Sequence, residues 1–303
     1  MLEQAEWRPR EHRHHELVEA LTAGHVERAR RAEKHPVEDF LFTYYSHRPA
    51  QLRRWHPGAD VALLGAAACE RLTWRWYREA AVPGDRRGAQ VDVEAFLADR
   101  GQSVGFIRDL LAATARRPAH LGCFGMHEWA MVYRLREGEQ RHESWPLRLG
   151  PAGTDAVVES RPVRCTHVDA FRFFTPPARP LNEYQPTREL QVSLEQPGCL
   201  HAGMDLYKWA YKLTPLVPSS LVLQCFELAR DIRVLDMQAS PYDLSALGYE
   251  PVRIETPEGR AEYAARQRAF AERAGPLRAA LITACDRALR STSDGFATSP
   301  GRP

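Results

Sequence analysis

The chain has 303 residues, with 44% hydrophobic and 26% charged residues and a formal net charge of +2. These are the values of a soluble globular protein of one or two domains, and so small a net charge excludes a surface that is basic all over. No apolar run is long enough to span a bilayer and no leader pattern opens the chain, so a cytoplasmic protein with no membrane partner is expected.

Residues 1–34 are expected to form an exposed N-terminal amphipathic helix, charged and Arg-rich over 11–33 with a thin stripe of Leu17, Leu21 and Val26. His12, His14, His15 and His25 are read there as surface residues. HPVEDFLFTYY at 35–45 turns apolar and aromatic. Pro36 suits the first turn of a helix, and Glu38 and Asp39 suit its positive end. Pro57-Gly58 closes this unit. Val61–Leu64 and Leu72–Tyr77 read as short strands, and 82–90 as a loop. Asp92–Arg117 is a long amphipathic helix, with Val93, Phe96, Leu97, Val104, Ile107, Leu110 and Leu111 at helical spacing.

HEWAMVYR, opening at His127-Glu128, reads as a buried segment, followed by a polar loop at 136–146. Val163–His167 has strand character, and Pro186–Glu195 reads as helical. Cys199–Leu213, CLHAGMDLYKWAYKL, reads as a buried helix with a chemical face. His201 and Asp205 lie four apart and so share one side, which Lys208 and Lys212 continue. Ser219 or Ser220 is expected to cap a helix running to about Gln238. SPYDLSALGYEPV is a compact loop, 258–290 a last helix, and 291–303 a disordered tail by composition. No repeat or linker divides residues 35–290. The expected class is therefore α+β: a predominantly α-helical single domain with a small β element.

The six cysteines contain no C-x-x-C pair, which argues against a disulfide framework and a zinc ribbon. There is also no Walker A loop, G-x-G-x-x-G, G-x-S-x-G, H-E-x-x-H or zinc-deaminase signature. What remains is a set of His–carboxylate pairs among aromatics: His35 with Glu38 and Asp39, His127-Glu128, His167-x-Asp169, and His201 with Asp205. Glu227 and Asp231, four apart, call for a cation between them: Lys208, Lys212, an Arg or a metal.

Imidazole with carboxylate is the ligand set of non-haem iron, manganese and zinc. In that reading His35, His127, His167, His201, Glu227 and Asp231 are candidate metal ligands for one or two divalent ions, and the substrate is a small molecule. A second chemistry needs no cofactor. Hydrolysis of an N-glycosidic bond on a flipped base uses an aromatic pocket, an acid and backbone contacts. Its candidate catalytic residues are Asp169, Asp205, Glu128 and Lys208. Its candidate substrate contacts are Tyr44, Tyr45, Trp129, Trp209, Tyr211 and Arg172. A third reading is a non-enzymatic helical protein with a polar core that binds a small molecule or partner.

HPVEDFLFTYY, FGMHEWAMVYR, HVDAFRFF, EQPGCLHAGMDLYKWAYKL and LDMQASPYDLSALGYEPVRIET together resemble an actinobacterial family commonly labelled 3-methyladenine DNA glycosylase, over residues 35 to 275. The resemblance implies excision of alkylated adenine from DNA, with damaged DNA as partner. The L-x-G-h-G hairpin of helix-hairpin-helix glycosylases is absent, and LHAGMD at 200–205 is not one, so no catalytic residue is carried over by motif.

Overall fold

The computed structural model describes residues 1–83, 86–135 and 145–296. In chain order the helices are α1 (Gln4–Arg30), α2 (Phe40–Tyr44), α3 (Pro49–Arg53), α4 (Val93–Ala115), α5 (Met126–Ala130), α6 (Gly150–Glu159), α7 (Val168–Phe171), α8 (Gln191–Leu194), α9 (Leu200–Lys212), α10 (Ser219–Gln238) and α11 (Pro257–Phe296). Strands β1 (Leu63–Leu64), β2 (Tyr77–Glu79) and β3 (Gly88–Val91) form an antiparallel sheet in the order β1-β3-β2. The expected class, a mainly helical α+β single domain, is the one observed. No helix among the described residues is long and apolar enough to cross a membrane.

At the centre lies α9, ten of whose residues are buried. It packs along α10 and against α11, and α4 lies along α11. The α9–α10 approach is close because Gly203 has no side chain: a Cβ there would come 2.9 Å from Ile232 Cδ1. Helix α4 starts as its sequence dictates, with the Asp92 side chain accepting from the Ala95 amide at 3.0 Å. By contrast, the cap expected of Ser219 is absent. Its hydroxyl accepts from the His56 amide at 2.8 Å and donates to Arg54 O, so it ties the α3 loop to α10.

The N-terminal helix is not exposed along its length. Trp7 is fully buried, donates to Leu64 O at 3.0 Å and stacks on Trp55. His14 is buried rather than on the surface, with Nε2 2.9 Å from Leu52 O. His25 lies 2.9 Å from Asp39 Oδ1. The strand expected at Leu72–Tyr77 does not form as such: its first two residues close a 3-10 helix over 66–73, and Trp76, at φ +62, turns the chain so that pairing starts only at Tyr77. Strand β3 lies in the region read as a loop, since Gly88-Ala89-Gln90 gives no alternating pattern. Val163–His167 supplies one bridge, Val163 to Asn182, instead of a strand. Pro186–Glu195 contains only the four-residue α8. Helix α11 runs on to Phe296, past the expected start of the tail at 291; residues 297–303 of that tail and most of the polar loop at 136–146 lie outside the described residues.

Two glycines give opposite expectations. Gly203→Leu should lower stability by about 1–3 kcal/mol through overpacking against Ile232. Gly105→Ala in α4, where a Cβ meets nothing within 4 Å, should raise it by about 0.5–1 kcal/mol through helix propensity. Urea midpoints of the two variants check both signs.

Candidate active site

Five elements deliver ionisable groups to one place. Helix α9 presents His201 and Asp205 one turn apart. The last turns of α10 bring Arg233 and Asp236, α5 brings His127 and Glu128, α7 and the residue before it bring Asp169 and His167, and the end of α8 brings Glu195. The three imidazoles form a row. His201 meets His127 edge to face, with centroids 4.5 Å apart, and stacks on His167 at 5.2 Å.

One end of the row is an ion-pair cluster. His127 Nε2 donates to Asp236 Oδ1 at 2.8 Å, and Arg233 Nη1 donates to Asp236 Oδ2 at 2.9 Å and to Glu128 Oε1 at 3.3 Å. Burial disfavours charge on His127, but adjacent Asp236 outweighs it and holds the imidazole pKa well above its usual value. Asp236 is correspondingly held below the carboxylate range, against its own burial, chiefly by His127. Glu128 goes the other way: burial, then the negative charge of Asp236, raise its pKa.

Asp205 organises the other end. It accepts from Tyr45 Oη at 2.9 Å, from His167 Nε2 at 3.3 Å and from Lys208 Nζ. Burial works against its charge, and Lys208 and His167 overcome this to hold it low. Asp169 accepts from Arg188 Nη2 at 2.6 Å and from Lys208 Nζ at 3.4 Å, with Arg172 Nε 3.7 Å away. Glu195 accepts from Gln191 Nε2 at 2.6 Å, and burial raises its pKa.

Between the two ends, His201 makes no hydrogen bond among the described residues. Burial first, and then the charge on His127, push its pKa well down, so it is neutral. It lines a cavity of about 250 Å³ together with Glu128, Asp169 and Arg233. Rings of Phe40, Tyr44, Phe173 and Tyr242 complete much of the wall. A carboxyl group with a raised pKa and a neutral imidazole on one cavity make a candidate proton donor and proton acceptor.

The expected site residues divide accordingly. His127, His167, His201, Glu128, Asp169, Asp205 and Lys208 come together, and Tyr44 is in the cavity wall. Tyr45 is a buried donor to Asp205, and Arg172 stands half-exposed beside Asp169. Trp129 is core, donating to Ala239 O at 2.9 Å. Trp209 lies under Lys208 and Lys212, and Tyr211 stacks on His47, so neither lines the cavity. His35 caps its own turn, with Nδ1 accepting from the Val37 and Glu38 amides. Glu227 and Asp231 are not in the cluster; the cation on Asp231 is Arg273, at 2.8 Å on the surface. Arg233, Asp236, Glu195 and Phe40 were not read as site residues from the sequence, whereas Phe173 was a stacking candidate. The one available signal was an Arg–Asp pair three apart within the apolar run of α10.

Two groups of three side chains each offer donor atoms mutually within 4.8 Å: His127, His201 and Asp236, and His167, Glu195 and Asp205. In the first, His127 and Asp236 already bond each other and Arg233 neutralises the carboxylate, so only His201 has an unengaged nitrogen. In the second, His167 and Lys208 bond Asp205, while no Lys or Arg hydrogen-bonds the Glu195 carboxylate among the described residues; Arg117 reaches only its backbone carbonyl.

These environments fix a pH dependence. Below the unfolded histidine pKa of about 6.5 the unfolded chain takes up a proton that buried His201 refuses, so its contribution is lost as pH falls. Buried His56, lowered to about 3, acts in the same direction. Asp205 and Asp236, held below their unfolded value of about 3.9, add a further loss at lower pH. His127 has the opposite sign: its stabilisation is complete below about 6.5 and fades only as pH rises through its raised folded value. The melting temperature should therefore fall between pH 7 and 5, and His201→Asn should make that fall smaller; melting curves across this range test both.

No family model, no curated protein and no solved structure matches this chain.

Proposed function

We propose that the 250 Å³ cavity is the active site of a hydrolase that cleaves the N-glycosidic bond to an alkylated purine, with damaged DNA as the substrate. The observation that carries the reading is the pairing of Glu128, whose pKa burial and Asp236 raise, with neutral His201 on one ring-lined cavity of base-sized volume.

In this reading the base stacks against Phe40, Tyr44, Phe173 and Tyr242. Glu128 gives its proton to the departing base as the bond electrons move onto the ring nitrogen. Asp169, in the same wall, faces the positive charge that develops on the sugar. His201 takes a proton from the attacking water, which completes the sugar hydroxyl. Arg172 and Arg188, both half-exposed beside Asp169, are placed to meet backbone phosphate. The resemblance to the glycosylase-labelled family supports the same bond class.

The test is release of 3-methyladenine from alkylated DNA by purified protein. Glu128→Gln and His201→Asn should each slow release by about 100-fold or more, the scale of a positioned acid or base. Asp169→Asn should slow it as well. No release by the wild-type protein, or release indifferent to both substitutions, would sink the assignment.

A metal-dependent reaction on a small molecule is the second reading. It is favoured by Glu195, a buried carboxylate without a Lys or Arg hydrogen bond, grouped with His167 and Asp205. Elemental analysis after incubation with Fe(II), Mn(II) or Zn(II) decides it. A stoichiometric ion retained by the wild type and lost in His167→Ala supports this reading, and no retained ion removes it.

A further inference from the structure

A second cavity, of about 360 Å³, is lined in part by Cys123, which neighbours His127. It shares no lining residue with the first. Arg164, Thr166, Glu183, Tyr184 and Gln196 contribute to its wall, and so does the half-buried Cys123. Cys123 Sγ is 3.7 Å from His127 Nδ1, and the opposite nitrogen of the same ring, Nε2, bonds Asp236 Oδ1 at 2.8 Å. A thiol, an imidazole and a carboxylate are thus in line, the carboxylate orienting the ring toward the sulfur.

The backbone around the thiol is built unusually. Phe124 has φ +46 and Gly125 φ +71, two consecutive left-handed residues directly after Cys123 and before α5. Phe124 has no glycine's freedom, so this conformation is strained. It turns the chain sharply beside the thiol, as nucleophile-bearing turns do. The Gly125 amide is taken by the Tyr263 hydroxyl, while the Phe124 amide makes no hydrogen bond among the described residues and is a donor next to the sulfur.

We infer that Cys123, His127 and Asp236 form a nucleophilic centre for acyl transfer, opening on the 360 Å³ cavity and taking a carboxylic ester as substrate. In the reactive form the thiol proton resides on His127 Nδ1, and the sulfur attacks the carbonyl carbon. A C–S bond forms, the C–O bond to the alcohol breaks, and His127 returns the proton to the departing alkoxide. Water then attacks the thioester, His127 takes its proton, and the carboxylic acid leaves as the thiol re-forms. Asp236 acts as a positioning residue. The polar wall of the cavity, with the Arg164–Glu183 pair at 2.6 Å, suits a polar acyl compound over a long aliphatic one.

Alkylation of the full chain with iodoacetamide, followed peptide by peptide by mass spectrometry, is the first test. Cys69 is the internal control, being of the same burial class as Cys123 and without a hydrogen bond to a histidine among the described residues. Cys123 should react at least about 10-fold faster than Cys69. In Asp236→Asn and His127→Gln that lead should shrink, while buried Cys225 and Cys285 stay protected, which separates loss of activation from loss of fold. Incubation with p-nitrophenyl acetate should place an acetyl group on Cys123 and none on the Cys123→Ser protein's other cysteines. Equal rates at Cys123 and Cys69, or a lead that survives both substitutions, would overturn the centre. A fast thiol that never carries acetyl would overturn the acyl-transfer assignment.

Discussion

Charge buried under an aromatic and aliphatic shell is the constraint on which this structure depends. Asp205, Asp236, His127 and Arg233 are each almost fully removed from solvent. An isolated ion in such a place is prohibitive, so every one must find a partner. The partners come from separate stretches of chain: Tyr45, His167 and Lys208 for Asp205, and His127 with Arg233 for Asp236. Folding the helices in any other arrangement would strand at least one charge. The network therefore fixes how α5, α9 and α10 meet, and hydrophobic burial around it supplies the stability.

That requirement also separates the groups by protonation. Where a carboxylate has its own cation it stays ionised, as Asp205 and Asp236 do. Where burial and a neighbouring anion dominate, its pKa rises, as at Glu128. The histidines split the same way: His127 is charged beside Asp236, and His201, one ring away, is forced neutral by burial and by that very charge. Acid and base thus arise from one electrostatic network, with no need for intrinsically different residues. The same ion pair that keeps His201 neutral orients the His127 ring toward Cys123.

Much of the frame was legible in the sequence. The boundaries of α9 and α10 and the start of α4 follow from apolar periodicity, prolines and a capping aspartate. The chemical face of α9 was legible too, because residues four apart must share a side. The errors fell where local signals are weak. A three-stranded sheet with strands of two to four residues leaves no alternation to read, and His14 looks like a surface residue until Leu52 is seen to cover it.

By itself, then, the sequence determined the helices, the class of fold, and that His127, His167, His201 and Asp205 would serve as polar groups in apolar surroundings. It could not say which acid each would meet. Asp231 and Asp236 sit on the same helix with similar charge, yet one faces Arg273 at the surface and the other is sealed beside His127. The choice rests on a rotation of about 100° per residue around α10 and on contacts more than a hundred residues away, which only the packed structure supplies. Tertiary structure likewise decided which groups hold a proton, since burial and neighbouring charge are properties of the assembled site and not of the residue type.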